Sequence, residues 1–414
     1  MDPDQRGVAI FKGQAGARSM VMQSHRGFGA APRSAPQFVL WFGIVNLFAG
    51  MACEGARSIV GPYLATLGAS GLIVGTLTGL GGLLACTIRL MSGDWAGRSR
   101  FYWPITLAGY VIQMVSVPLL ALTGTWPHVA VPVLLEHAGR AVRTPPRDVM
   151  LAQRGKGVGR GWGLSVNEAL EQLGAVAGPL AIAGTILLFH DFRTAFATLA
   201  VPAAITLLLV FGVRARFPDA GSIEREPESF GIRGHPREFW VYCIGGALVG
   251  FGFAGFPLIS YHLGKGQVLA HLWIAIFYAL AMVAAGLGAL ALGKIYDRFG
   301  LIVLVPVTVI VAAYAPLVFL GDFNVVLAGI VLWGIGLEAH RSVMQAALAG
   351  MVAQGRLGSA CRVFATVFGM AWFAGSVAMG ALYDVAPIAA ALLGVVAELA
   401  AVIPLLAAAR LARG

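Results

Sequence analysis

Charged residues are scarce in this sequence. Lysine, arginine, aspartate and glutamate make up 12% of the 414 residues, whereas a soluble globular domain contains about 25%. Hydrophobic residues make up 58% of the chain, and the mean hydropathy is +0.81. These values exclude an ordinary soluble domain and predict a chain that lies in a lipid bilayer.

Cysteine and the motifs of enzyme and metal sites are equally sparse. The four cysteines, Cys53, Cys86, Cys243 and Cys361, lie far apart. No CxxC or Cys/His spacing indicates zinc, haem or a redox pair. The sequence also lacks the GxxxxGK[ST] loop that ATP-driven pumping requires. We therefore predict no metal and no cofactor, and we do not expect an enzyme.

Apolar residues instead form long runs. A helix needs about 20 apolar residues to cross a bilayer, and twelve runs approach or exceed this length. They cover residues 38–66, 70–91, 101–122, 126–145, 162–189, 193–213, 239–262, 271–293, 301–320, 324–345, 361–383 and 387–408. The predicted fold is an all-α integral membrane protein with twelve transmembrane helices.

A single long polar stretch interrupts these runs. Residues 214–238, RARFPDAGSIEREPESFGIRGHPRE, separate six runs from six. We therefore predict an N-terminal tail over residues 1–36, a first six-helix half over 37–213, a central linker over 214–238 and a second half over 239–414. The tail has no compact apolar core before a cleavage site, so no cleaved signal peptide is expected.

The basic residues predict the orientation. Of the 29 lysines and arginines, only Arg193 and Lys265 lie in the loops after odd-numbered runs. Most of the others lie in the tails, in the even-numbered loops or at the span ends beside them. Because lysine and arginine concentrate on the cytoplasmic side, both termini are predicted to be cytoplasmic, in a plasma (inner) membrane. The net charge of +10 then reflects topology, and nucleic acid is not an expected partner.

Short sequences recur in the same order in the two halves. LMSGDWAGRSR, Leu90–Arg100, and GKIYDRFG, Gly293–Gly300, each follow the second run of their half. RDVMLAQ begins at Arg147 and RSVMQAA begins at Arg341, each after the fourth run. A third echo joins GVGRGWGL and GAVAGP, ending at Pro179, with QGRLGSAC and WFAGS in the fifth run. We interpret the halves as a duplicated six-helix unit, an architecture known in secondary transporters.

The first of these echoes resembles the signature between spans 2 and 3 of the major facilitator superfamily, and the resemblance covers essentially the whole chain. It implies a transporter of two six-helix pseudo-repeats in which the loop residues, together with Arg147 and Arg341, form a cytoplasmic gate. A short turn needs a glycine that accepts positive φ, and an aspartate suits the amides that open the next helix. The matching residues are Asp94, Gly97 and Arg98 in the first copy and Gly293, Asp297, Arg298 and Gly300 in the second; Leu90, Trp95 and Leu301 depart from the pattern.

The fifth run carries a second resemblance. GAVAGP, with Gly174, Gly178 and Pro179, is similar to the GxxxGP element of the drug:proton antiporter branch. The same residues are expected in any kinked and closely packed membrane helix. RTPPRD, residues 143–148, resembles a bacterial and archaeal subset of facilitator proteins. The resemblance to the antiporter branch favours proton-coupled export over facilitated or proton-symport uptake.

Charged side chains inside the predicted spans cost roughly 2.5–3.5 kcal/mol each to insert and are candidate functional groups. Glu54 and Arg57 lie one helical turn apart, where they can pair. Glu168 and Glu171 share a helix face without a basic neighbour, so one of them could carry a proton. The alternative is a static network with Arg57 or Arg140. The candidates for substrate binding or proton coupling are Glu54, Arg57, Glu136, Arg140, Glu168, Glu171 and Glu338.

The sequence thus predicts a secondary transporter that moves a small solute by alternating access. A non-transporting membrane sensor or a membrane-embedded enzyme is the alternative of a different class. The expected partners are a small-molecule solute, protons and the lipid bilayer, and the chain is expected to be a monomer. Five aromatic residues could line a cavity, although packing in the core or against lipid is the expected role of each: Tyr278, Trp333, Phe364, Phe368 and Trp372.

Overall fold

The computed structural model describes residues 34–99, 101–154, 160–218, 234–266 and 268–412, and this part of the chain is helical throughout, without a strand. Short turns of 3-10 helix occupy Leu120–Leu122, Gly300–Val303 and Gln354–Arg356, and a π-helical turn occupies Ala339–Val343. The α-helices are α1 (Ser34–Thr66), α2 (Gly71–Ser99), α3 (Tyr102–Leu119), α4 (Trp126–Arg154), α5 (Arg160–Phe189), α6 (Phe192–Thr198), α7 (Ala200–Arg216), α8 (Arg237–Gly252), α9 (Phe256–Lys265), α10 (His271–Phe299), α11 (Leu304–Val311), α12 (Tyr314–Leu320), α13 (Phe323–Glu338), α14 (Met344–Met351), α15 (Leu357–Val385) and α16 (Pro387–Leu411).

All twelve predicted runs lie on these helices, but only nine segments of the described chain are long and apolar enough to cross a membrane by length and composition alone. Runs 271–293 and 301–320 lie in one continuous segment, His271–Leu320. Helix α4 is not among the nine because it carries many charged side chains. Helix α13 is apolar but short. Most of the predicted tail and most of the predicted linker lie outside the described residues.

Helices α1 and α5 pack closely because α5 presents glycine to α1. A Cβ atom added at Gly174 would overlap the carbonyl oxygen of Leu47, and one added at Gly178 would overlap that of Met51. Pro179 follows directly within the same helix. Small residues allow this close approach in membranes, where packing rather than apolar burial drives helix association. The backbones of α1 and α5 therefore lie in direct contact.

A break separates α8 from α9 over Phe253–Gly255. Two side chains satisfy the polar backbone groups that the break exposes. The Tyr314 hydroxyl accepts from the amide of Ala254 at 2.6 Å, and Trp333 Nε1 donates to the carbonyl of Ala254 at 2.9 Å. Non-helical backbone at membrane depth is tolerated only where such partners or water are present. The break places Phe256 at the start of α9, on the wall of the central cavity described below.

The N-terminal helices (residues 34–216) and the C-terminal helices (237–411) meet along three lines, α2 against α15, α1 against α9 and α5 against α10. Their contact is polar at the end where α2 begins. Asp384 of α15 accepts hydrogen bonds from the backbone N–H groups of Gly71 at 2.7 Å and Leu72 at 2.8 Å. The hydroxyl of Tyr261 donates to the carbonyl of Ala69 at 2.8 Å. This end of the bundle is therefore closed by contacts between the two sets of helices.

Candidate substrate and coupling site

A central cavity of about 240 Å³ lies between the N-terminal and C-terminal helices. Its N-terminal wall comes from α1 to α4, and its C-terminal wall comes from α9, α10, α13 and α15. The polar side chains on the first wall include Arg57, Glu136 and His137. The second wall is aromatic and contains Phe256, Tyr278, Trp333 and Trp372. The cavity thus has one ionic side and one aromatic side.

Two glutamates and two arginines form a cluster at the ionic side, where Arg57 and Glu136 line the cavity and Glu54 and Arg140 lie behind them. Arg57 donates to both carboxylate oxygens of Glu54, at 2.7 and 2.6 Å, as their spacing on α1 predicts. Arg140 joins the two acids, since its side chain lies 3.0 Å from Glu54 and 3.2 Å from Glu136. Arg57 also approaches Glu136 at 3.9 Å. We call Glu54, Arg57, Glu136 and Arg140 the charge quartet.

Helix α4 supplies half of the quartet because its charged residues lie on one face. Glu136, Arg140, Arg143 and Arg147 are spaced by four, three and four residues, which brings them onto a single stripe of an α-helix. This stripe faces α1, α3 and α5, against which α4 packs. The charged side chains that make α4 less apolar than the other spans are thereby buried inside the bundle.

Tyr278 connects the quartet to the C-terminal helices. Its hydroxyl donates to Glu54 Oε2 at 2.7 Å across the cavity. Its ring lies against Phe256, with the ring centroids 4.2 Å apart. Trp333 and Trp372 also line the cavity, whereas Phe364 stacks on Tyr242 away from it. The aromatic residues considered from the sequence therefore divide between the cavity and the core.

The sequence did not single out Arg143 as a site residue. Its side chain is almost fully buried, with 2% exposed, and it donates to the Gln113 side-chain oxygen at 2.5 Å. It also donates to Asn46 and to the Tyr110 hydroxyl, both at 3.1 Å. Gln113 in turn donates to Glu136 at 2.9 Å. A glutamine amid the apolar residues of span 3 was the signal that could have predicted this link.

The second carboxylate pair differs from the prediction. Glu171 is half-buried, and Arg147 of α4 lies 3.4 Å from its carboxylate. Arg147 also pairs with Asp148 at 2.8 Å. Glu168 is exposed. Glu171 therefore has a basic neighbour that belongs to α4 and not to its own helix, because the sequence pattern of one helix does not show which side chains approach from the next.

The GKIYDRFG stretch forms the end of a helix rather than a loop. Gly293, Asp297 and Arg298 lie in α10, and the last two are exposed in its final turn. Gly300 ends the helix with φ of 69°, the positive φ that the short turn predicted. Asp297 therefore lies at the end of α10 and not at the start of the next helix, where the sequence predicted it. At the end of a helix the dipole does not favour negative charge.

The remaining gate candidates and Glu338 are placed only in part. Asp94, Gly97 and Arg98 lie in α2, and Arg341 lies in the π-helical turn, but their side chains are outside the described part of the structure. Glu338 is the last residue of α13 and is half-buried. It is not among the residues that line the cavity.

Comparison with known proteins agrees with this architecture. A family model described as Major Facilitator Superfamily matches residues 40–376. An uncharacterized protein of Mycobacterium tuberculosis is 39% identical over 381 residues, which cover 89% of this chain and 92% of that protein. An uncharacterized MFS-type transporter of Methanocaldococcus jannaschii is 22% identical, with 86% and 90% covered.

A solved structure of the nucleoside transporter NupG superposes with a TM-score of 0.70 at 12% identity. The superposition covers 90% of this chain and 98% of NupG. At this identity the similarity shows the fold alone, an all-α bundle. With the family model, it establishes that the chain belongs to the Major Facilitator Superfamily and is a multi-pass membrane transporter.

Proposed function

We propose that the chain moves a small solute through the central cavity by alternating access and that proton binding at Glu54 or Glu136 is coupled to this movement. The single observation that carries the proposal is the position of Glu54. Its carboxylate binds Arg57 and Arg140 on one side and Tyr278 of the opposite wall on the other. A change of charge at Glu54 therefore acts directly on a contact between the two sets of helices.

Protonation of Glu54 would change three contacts at once. The neutral carboxyl group is a weaker acceptor for Arg57 and Arg140, because charge-assisted hydrogen bonds are roughly twice as strong as neutral ones. The bond from Tyr278 weakens for the same reason. Arg57, which lines the cavity, then becomes available to another acceptor there, while the connection across the cavity loosens. Proton binding and solute binding are linked through the Arg57 guanidinium.

This geometry supports proton symport, because protonation of a glutamate weakens its bond to the arginine and leaves the guanidinium able to bind the solute. Export by antiport, preferred from the sequence, stays a prediction. It requires the proton and the solute to exclude each other. An inner-membrane location, cytoplasmic termini and a monomeric state belong to the same proposal.

The test uses the purified protein in sealed vesicles with an imposed pH gradient. Three radiolabelled probes of similar size and different charge are offered: phenylacetate, phenylacetamide and phenethylamine. Protein-free vesicles measure passive entry. For the transported probe, we expect Glu54→Gln and Glu136→Gln to abolish pH-driven accumulation and to leave exchange between equal pools, since exchange needs no net proton movement.

The control for this test is Glu238→Gln, which removes a carboxylate from the start of α8, outside the cavity. It should retain the gradient dependence of the wild type. Unchanged gradient dependence in both Glu54→Gln and Glu136→Gln would refute coupling at the quartet. Accumulation driven by the opposite gradient would refute symport and support export.

We further propose that the exposed end of α10 contributes to a cytoplasmic gate with the corresponding end of α2. Asp297→Asn should leave folding unchanged and lower the transport rate severalfold, because Asp297 is exposed and its charge is available to a neighbouring segment. Lys294→Gln, an exposed charge on the same helix end, is the matched control and should transport normally. A wild-type transport rate in Asp297→Asn would show that this end of α10 is a solvated helix terminus without a role in a gate.

A further inference from the structure

We infer that the solute is a small aromatic monocarboxylate whose carboxylate binds Arg57 and whose ring lies against the wall of Phe256, Tyr278, Trp333 and Trp372. The inference rests on the proposed function in treating the cavity as the solute site. It adds the chemical class of the solute.

The first observation is an imbalance of buried charge. The charge quartet is neutral by itself, with Arg57 and Arg140 balancing Glu54 and Glu136. Arg143 adds one more positive charge, and its contacts are to the neutral oxygens of Gln113, Asn46 and Tyr110. Arg147, which also binds Asn46, lies between the carboxylates of Glu171 and Asp148, and the Asp148 side chain is 46% exposed to solvent. Apart from this exposed carboxylate, the four arginines Arg57, Arg140, Arg143 and Arg147 face three glutamates, Glu54, Glu136 and Glu171.

An excess charge inside a protein is costly unless an opposite charge lies nearby. Arg143 does not line the cavity, but Gln113 joins it to Glu136, which does. The surplus therefore lies directly behind the ionic wall. An anion in the cavity would neutralise the excess positive charge of the quartet and Arg143, whereas a cation would double it.

The second observation is that one guanidinium is accessible from the cavity. Arg57 lines the cavity with 26% of its side chain exposed. A guanidinium offers donors that match a carboxylate in a paired geometry. Glu54 occupies only part of this donor set, since Arg57 NH1 supplies both of its hydrogen bonds to that residue.

The third observation is the opposite wall. Phe256 lies 4.2 Å from Tyr278 and 5.4 Å from Trp333, measured between ring centroids. Aromatic pairs in offset or edge-on arrangements are stabilised beyond what the area that they bury contributes. The cavity of about 240 Å³ is below the roughly 300–1,000 Å³ that holds a drug-sized ligand, which favours a single ring.

The experiment measures equilibrium binding to the purified protein in detergent, without any gradient. The probes are phenylacetate, phenylacetamide, phenethylamine and cyclohexylacetate. The first three share an aromatic ring and differ in charge, whereas cyclohexylacetate has the charge of phenylacetate and an aliphatic ring. We expect phenylacetate to bind at least about tenfold more tightly than the amide and the amine, because a charge-assisted bond is lost in both. Cyclohexylacetate should bind more weakly than phenylacetate by about threefold to tenfold.

Variants then assign the binding to the named residues. Arg57→Gln should weaken phenylacetate binding by about 30-fold or more and should remove the preference for acid over amide. Arg57→Lys keeps the charge and should restore part of that preference, which also covers the case in which Gln at this position fails to fold. Arg193→Gln, an exposed arginine outside the cavity, should bind as the wild type does. Trp372→Leu should remove the preference for phenylacetate over cyclohexylacetate, and Trp372→Phe should keep it.

Tighter binding of phenethylamine or phenylacetamide than of phenylacetate would overturn the inference, and so would an acid preference that survives Arg57→Gln. Such a result leaves proton coupling untouched, because coupling is measured separately in vesicles with whichever probe is carried. Conversely, specific phenylacetate binding without gradient-driven flux would uphold the solute class and refute the proposed coupling.

Discussion

Replacing Gly178 by leucine should abolish the folded protein. The position allows no side chain because a Cβ atom there would overlap the carbonyl oxygen of Met51 and would lie 2.9 Å from the amide nitrogen of Gly55. Overpacking an ordinary core costs about 1–3 kcal/mol, and the loss here should exceed this because the obstacle is backbone and not a flexible side chain. The measurements are the yield of monodisperse protein and its thermal midpoint.

The matched control for this prediction lies on the same helix. Gly184 is exposed, and a Cβ atom added there would meet no atom within 4 Å. Gly184→Leu adds an apolar side chain that the surrounding lipid accommodates. The protein yield and the thermal midpoint of this variant should therefore equal those of the wild type. Equal behaviour of the two leucine variants would show that α1 and α5 do not require their close approach.

Replacing Arg140 by methionine should destabilise the protein by about 3–5 kcal/mol, the usual result when one partner of a buried ion pair is removed. Arg140 holds Glu54 at 3.0 Å and Glu136 at 3.2 Å. Without it, a single arginine remains for two buried carboxylates. The thermal midpoint of the purified protein should fall sharply. Arg214→Met, which changes an exposed arginine of α7, should leave it unchanged.

A second substitution distinguishes lost charge balance from lost packing. Arg140→Met combined with Glu136→Gln removes one positive and one negative charge, and Arg57 still holds Glu54. We expect the double variant to recover most of the stability that Arg140→Met loses, because no uncompensated carboxylate remains. A double variant that is less stable than Arg140→Met alone would show that packing, and not charge, sets the role of Arg140.

The sequence predicted the helices well because membrane insertion acts on whole runs of about 20 residues. All twelve runs lie on helices, and the pairing of Glu54 with Arg57 follows from their separation within α1. The turn at Gly300 was likewise visible, because its positive φ is a local requirement. These features depend only on neighbours in the sequence.

Contacts between helices could not be predicted in the same way. A helical pattern shows which residues share a face, but it does not show which helix covers that face. The approach of Arg147 to Glu171, the bond from Tyr278 to Glu54 and the burial of Arg143 all depend on packing between helices far apart in the chain. The proposal of Glu54 and Glu136 for proton coupling, in place of the Glu168 and Glu171 preferred from the sequence, depends on these contacts between helices.

The contact of Asp384 with the start of α2 bears on how often the transporter occupies its different states. Separation of the helices at this end must take the carboxylate away from two backbone N–H groups, those of Gly71 and Leu72. A carboxylate at such a helix start contributes about 0.5–2 kcal/mol, so its loss would change the ratio of closed to open molecules by roughly twofold to thirtyfold. A solute that binds more tightly to the open form must supply this difference, and its apparent affinity is lower by the same factor. In the proposed alternating-access cycle, the aspartate would thus contribute to the resting population of the transporter without lining the cavity.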